Sequence, residues 1–154
     1  MRILLDTDIC IYVINRKRPE ILARVRNYRF GAVGISAITY AELRFGVENS
    51  SRVEANLDRL ERFLLPLEIV PFDAEAGRQY GRLRTELKRA GCPIGSNDLL
   101  IAAHAFSLEV TLVTNNRLVP VDNSLIFISF VSRLRAKRTD SLTNRFFLLS
   151  IRPV

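Results

Sequence analysis

Residues 3–11 read Ile3-Leu4-Leu5-Asp6-Thr7-Asp8-Ile9-Cys10-Ile11, a brief apolar run that stops at an acid. The run reads as a buried strand ending at Asp6. Working outward, Ala32-Val33-Gly34-Ile35, Leu67-Glu68-Ile69-Val70 and Thr111-Leu112-Val113 are similar pieces. Helical signals lie between them. Val53, Leu57, Leu60 and Leu64 recur at spacings of 4, 3 and 4 and stop before Pro66. Ala76, Tyr80, Leu83, Leu87 and Ala90 continue the same rhythm, opened by Asp73 as N-cap and closed by Gly91 with Pro93 behind it. Leu99–Phe106 is apolar nearly all round, as expected of a buried helix covering a sheet. Short apolar strands alternating with helices predict an α/β fold, a parallel sheet sandwiched between helices with right-handed crossovers.

The chain has 154 residues, 48% hydrophobic and 25% charged, with 7 Gly, 6 Pro and 2 Cys. Such a composition excludes a disordered, collagen-like or disulfide-framework protein and suits one domain. No apolar run reaches the roughly 18–20 residues that cross a bilayer, and Asp6 and Asp8 break up any leader-like stretch. Two unpatterned cysteines, Cys10 and Cys92, point to the reducing cytoplasm. The net charge is +7, unevenly placed: residues 1–116 carry 16 basic and 14 acidic side chains, residues 117–154 carry 7 and 2. The body is nearly balanced and the excess belongs to a basic tail, with Arg133, Arg135, Lys137 and Arg138 as its densest run. Such a surface suggests a polyanion or an acidic protein as partner.

The informative residues are acids. Asp6 ends the first strand, at the edge where open α/β sheets bind ligands; capping the next helix is the competing role, and Asp8 looks the better cap. Glu42 sits in a helix capped by Ser36, on a face shared with Ile38, Ala41 and Phe45, where a carboxylate has to be paired, neutralised or bound to a cation. Asp98 opens the buried helix in Gly95-Ser96-Asn97-Asp98-Leu99, where it or Asn97 is the expected cap. Thr114-Asn115-Asn116 follows the last short strand, as a turn or as part of a site. Taken together, three acids and an amide from distant parts of the chain are expected at one sheet edge. Mg²⁺ is the natural counterion: it takes oxygen ligands, keeps several waters and suits phosphodiester hydrolysis.

At these residues the sequence resembles a known family. Leu4-Leu5-Asp6-Thr7-Asp8-Ile9-Cys10-Ile11, Ser36–Gly46, Pro93–Ala105 and Leu112-Val113-Thr114-Asn115-Asn116 are similar, in order and spacing, to the four motifs of PIN-domain toxins of the VapC type. The resemblance covers residues 1–116 and implies a PIN-like parallel sheet of about four to five strands between helices. It implies a Mg²⁺-dependent endoribonuclease, with Mn²⁺ as substitute, that halts translation by cutting RNA, tRNA being the usual substrate class. A homodimer inhibited by a VapB-type antitoxin is implied as well. Carried over, Asp6, Glu42 and Asp98 become the catalytic, metal-binding acids, and Asn116 stands where relatives carry an acid or an amide. After Asn116 the likeness stops. Relatives continue into a loop with Glu-Phe and a strand ending near Trp; here Arg117-Leu118-Val119-Pro120-Val121-Asp122 follows and the chain has no Trp. Residues 117–154 therefore read as a divergent basic tail, with Ser124–Phe130 as one further candidate strand and Asp122 as the acid that would replace the loop's.

Other side chains carry weaker expectations. Arg78, Arg82 and Arg89 share a helical face that is either solvated or in contact with RNA phosphates. Tyr12 and Tyr40 are packing residues or stacking platforms for bases. His104, the only histidine, is expected in the core. Two rival functions use the same residues: a catalytically impaired PIN fold that only binds antitoxin or RNA, and a DNA-directed metallonuclease.

Overall fold

In the computed structural model, which describes residues 1–17, 23, 25, 27–29 and 31–114, the apolar triplet Ile3–Leu5 forms β1, an inner strand of the sheet. It is followed by α1 (Thr7–Ile14), β2 (Val33–Ser36), α2 (Ala37–Glu48), α3 (Val53–Leu64), β3 (Glu68–Val70), α4 (Ala74–Arg89), α5 (Ser96–Ser107) and β4 (Thr111–Val113). All strand pairs are parallel, and the order across the sheet is β3-β2-β1-β4. The expected α/β architecture is therefore present, with four strands and five helices among the described residues.

Strand periodicity divides the core between the two faces of the sheet. Ile3 and Leu5 point to one face, where Val33, Ile35 and Val113 meet Ile9, Cys10 and Val13 of α1, Leu43 and Val47 of α2 and Leu60 of α3. Leu4 and Leu112 point to the other, against Ile101, Ala102 and Ala105 of α5. Helix α4 packs on α5 through Leu83, Leu87, Leu99 and Ala103, the stripe that the sequence spacing anticipates. That helix also has its expected ends: the Ala76 amide donates to Asp73 Oδ1 at 2.9 Å, and Gly91 turns the chain away with a left-handed φ of 67°. A residue with a Cβ is strained there, which is why glycine suits the position.

His104 is buried in α5 as expected, its Nδ1 2.9 Å from Ser36 Oγ and its ring edge-on to Phe72. Burial lowers its pKa, against a smaller opposing pull from Asp73, so the ring is neutral in ordinary buffers. Burial likewise raises the Cys10 thiol well above the usual range, which makes it a packing group. No described helix is long and apolar enough to cross a membrane. The tail 117–154, with its candidate strand Ser124–Phe130 and basic run, lies outside the described residues.

Candidate active site

One residue separates β1 from α1, so Asp6 both ends the strand and caps the helix. Thr7 N donates to its Oδ1 at 2.7 Å. This corrects the expectation that Asp8 is the cap: a strand that runs straight into a helix leaves no loop, and Asp8 falls within the first helical turn. The strand order places Asp6 further. The chain builds outward from β1 through β2 to β3 and then returns to add β4 on the other side. The crevice between β1 and β4 is thus the topological switch point, the place where open α/β sheets receive ligands. Across it the Thr114 hydroxyl donates to Asp6 Oδ2 at 2.5 Å, joining residues 108 apart in sequence.

Asp6 is 5% exposed. Burial raises its pKa above the ordinary carboxylate value; the hydrogen bonds from Thr114 and Thr7 pull it back, and the charges of Asp8 and Glu42 push it up again. Among the described residues, the formal charges acting on this buried acid are both negative.

Glu42 comes from the middle of α2, whose N-cap is Ser36, with Ile38 N donating to Ser36 Oγ. The expectation of an apolar face around it needs correction. The buried stripe of α2 is Thr39, Leu43 and Val47, while Ala41 is exposed and Phe45 is 70% exposed. An apolar residue is not always an inward one. Glu42 is half-buried beside the stripe, and both its oxygens are engaged. Thr7 Oγ1 donates to Oε2 at 2.5 Å, and Asn97 Nδ2 donates to Oε1 at 2.8 Å.

Asp98 and Asn97 belong to the start of α5. Neither is its cap: the helix begins at Ser96 with Gly95 in the capping position, so both residues lie in the first turn. The sequence offered two side-chain caps; the helix starts earlier, at Ser96, so Gly95 takes the position, and the Asp98 carboxylate lies close over it. A Cβ at Gly95 would stand 2.8 Å from Asp98 Oδ2 and 3.5 Å from its Cγ.

The structure thus links Asp6 and Glu42 at one corner, with Asp98 one residue along α5 from a side chain that reaches Glu42. Asp6 and Glu42 share Thr7, which follows the one and donates to the other. Asp98 is the sequence neighbour of Asn97, which donates to Glu42. Among the described residues, no three His, Cys, Asp or Glu side chains stand close enough to hold a metal ion as placed; Asp6 and Glu42 are each turned onto neutral partners. The chemistry of the donor set nonetheless fits a hard divalent cation: oxygen ligands, a buried acid destabilised by neighbouring negative charge, and hydrogen-bond donors that carry no charge.

Thr7, Asn97 and Gly95 were not legible as site residues, since their significance lies in partners 35 and 55 residues away or in a single close approach. Asn115, Asn116 and Asp122 lie outside the described residues. Of the arginines, Arg78 pairs with Glu75, while Arg82 and Arg89 are exposed on α4, and no described hydrogen bond or ion pair joins any of the three to the acids. Tyr12 and Tyr40 pack against the core on the α1–α2 face.

The chain matches a known family. The family model of the PIN domain covers residues 3–119. The chain belongs to the PIN domain family. Within it, the chain is 47% identical over 120 residues to ribonuclease VapC2 of Rickettsia felis, a match spanning 73% of this chain and 85% of that protein. It is 39% identical over 116 residues to the tRNA(fMet)-specific endonuclease VapC of Shigella flexneri, covering 75% and 87%. Its PIN fold superposes with a TM-score of 0.71 on a chain of the DNA-bound VapBC structure from Salmonella typhimurium, at 40% identity over 75% of this chain and 87% of that one.

Proposed function

We propose that this PIN domain is a Mg²⁺-dependent endoribonuclease toxin that cuts RNA, with tRNA as the substrate class, and is held inactive by a VapB-type antitoxin. Asp6, Glu42 and Asp98 are the metal-binding, catalytic acids in this reading, which places the catalytic unit in residues 1–116 and pairs two copies in a homodimer. Thr114 acts on Asp6, and Asn116 and Asp122 are the further candidates near the end of the unit. The observation that carries the proposal is Asp6: a buried carboxylate at the switch point, with negative neighbours and neutral hydrogen-bond donors. The relatives named ribonuclease and tRNA(fMet)-specific endonuclease, and the VapBC complexes, support the choice of substrate and partner.

When bound, Mg²⁺ would supply Lewis-acid polarisation of the phosphoryl group and lower the pKa of a coordinated water. The chain's own contribution is placement. Thr114 and the Thr7 amide fix both oxygens of Asp6, and Thr7 and Asn97 fix both oxygens of Glu42. Each carboxylate oxygen keeps a further lone pair for a ligand. His104, the only histidine of the chain, is buried against Ser36 Oγ and takes no part in this reading.

The test compares end-labelled tRNA, single-stranded RNA and single-stranded DNA, each with Mg²⁺ and with EDTA. Internal cleavage of RNA with Mg²⁺, leaving 5′-phosphate ends, is expected. Cleavage of DNA alone, or equal cleavage in EDTA, overturns the proposal.

Gly95→Ala should separate stability from activity. The clashing atom is the end of a side chain, so Asp98 rotates away at little cost, and the loss of stability stays near the ~1 kcal/mol that a poorer N-cap costs. Cleavage should fall by up to about a hundredfold, the typical effect of an ångström-scale displacement of a reacting group. Urea unfolding and initial cleavage rates check both; unchanged cleavage would show that Asp98 does not depend on this contact.

A further inference from the structure

Every donor on Asp6 and Glu42 is uncharged. Asp6 receives the Thr114 hydroxyl and the Thr7 amide, and Glu42 receives the Thr7 hydroxyl and the Asn97 carboxamide. Asn97 is the one among these with no evident local role. It is exposed, it does not cap its helix, and its contact reaches 55 residues back to α2. A lysine or arginine there would hold Glu42 more strongly, because hydrogen bonds to charged donors are about twice as strong as neutral ones. It would also cancel the negative charge on which a cation depends. An aspartate would add repulsion to Glu42 and Asp98. A short carboxamide is the side chain that orients Glu42 Oε1 while leaving its charge intact.

We infer that Asn97 is a positioning residue that orients Glu42 for cation binding. The inference rests on the metal-dependent reading of the corner and adds to it a residue that touches neither substrate nor cation. Residues that hydrogen-bond a metal ligand typically contribute ten- to a hundredfold in metal affinity, which sets the expected effect.

The experiment uses the full chain and Mn²⁺ as the probe, with binding followed by calorimetry, metal-free melting temperature by circular dichroism, and RNA cleavage against metal concentration. Asn97→Ala should melt within about 2 °C of the parent, as expected for an exposed contact, and bind Mn²⁺ about ten- to a hundredfold more weakly. The metal concentration giving half-maximal cleavage should rise by the same factor. Asn97→Gln, which keeps the carboxamide, should recover part of the affinity. Asn97→Lys should melt no lower than the parent and yet lose Mn²⁺ binding, since it holds Glu42 and neutralises it. Parent-like Mn²⁺ affinity in Asn97→Ala overturns this inference and leaves the nuclease reading intact. Affinity losses that merely track melting temperature across the three variants overturn it too, as they would mark a structural staple between α2 and α5. A parent chain that binds no Mn²⁺ overturns both.

Discussion

Asp98→Ala should reduce Mg²⁺-dependent RNA cleavage by at least about a hundredfold, the scale on which loss of one preorganised electrostatic group acts, and leave the fold in place. The two halves of this expectation have separate causes. Helix α5 is anchored by Leu99, Ile101, Ala102, Ala103 and Ala105, all buried. What the helix loses is an acid in its first turn, a favourable place for negative charge worth about 0.3–1 kcal/mol. In the proposed machinery the variant loses one of three metal-binding carboxylates, and with it much of the attraction for a divalent cation. Labelled tRNA cleavage and a thermal melt of the same preparation check both. Undiminished cleavage in a folded variant would remove Asp98 from the proposed machinery.

Asp6→Asn should be no less stable than the parent in EDTA at neutral pH, although it removes an acid from the centre of the site. Asparagine caps helices about as well as aspartate. Its carbonyl can accept from Thr7 N, and its amide can donate to the Thr114 hydroxyl. What disappears is a buried charge that its surroundings disfavour. The pH dependence follows in sign. Because the folded-state pKa of Asp6 is raised, the folded protein holds this proton to higher pH than the unfolded chain does. The stability from this group is fully present below the ordinary carboxylate pKa of about 3.9 and is lost as pH rises through the raised value. Parent stability minus Asp6→Asn stability should therefore fall with pH across that window, by at most about 1.4 kcal/mol per pH unit, and then level off. Urea titrations of both proteins in EDTA at several pH values measure it. A difference that rises with pH would mean that the carboxylate is favoured where it sits. Mg²⁺ should raise the melting temperature of the parent at neutral pH and not that of the variant, and cleavage by the variant should be lost.

Other features of the chain explain why the site was only partly visible before folding. Local signals were dependable. Strand positions followed from short apolar runs, the helix beginning at Ala74 from its Asp73 cap, its end from Gly91, and the second strand–helix junction from Ser36. The readings that needed correction concern side chains that compete for one role. Asp6 and Asp8 each suit an N-cap, and only the length of the strand decides between them. Asn97 and Asp98 both suit one as well, yet the helix starts earlier, at Ser96, and Gly95 holds the position. Phe45 looks like a core residue and is 70% exposed, since apolar character does not say which way a helix is turned.

The amino-acid sequence alone determined the α/β class and the order of strands and helices. Those properties rest on period, capping and spacing, which contiguous residues carry. The tertiary structure decided the rest: that Thr114 reaches Asp6 over 108 residues, that Thr7 and Asn97 hold Glu42 from two other helices, and that the Asp98 carboxylate lies over Gly95. These partnerships depend on which strand lies next to which and in what register. The order β3-β2-β1-β4 brings the carboxyl ends of β1 and β4 side by side, a juxtaposition that no local stretch of chain encodes.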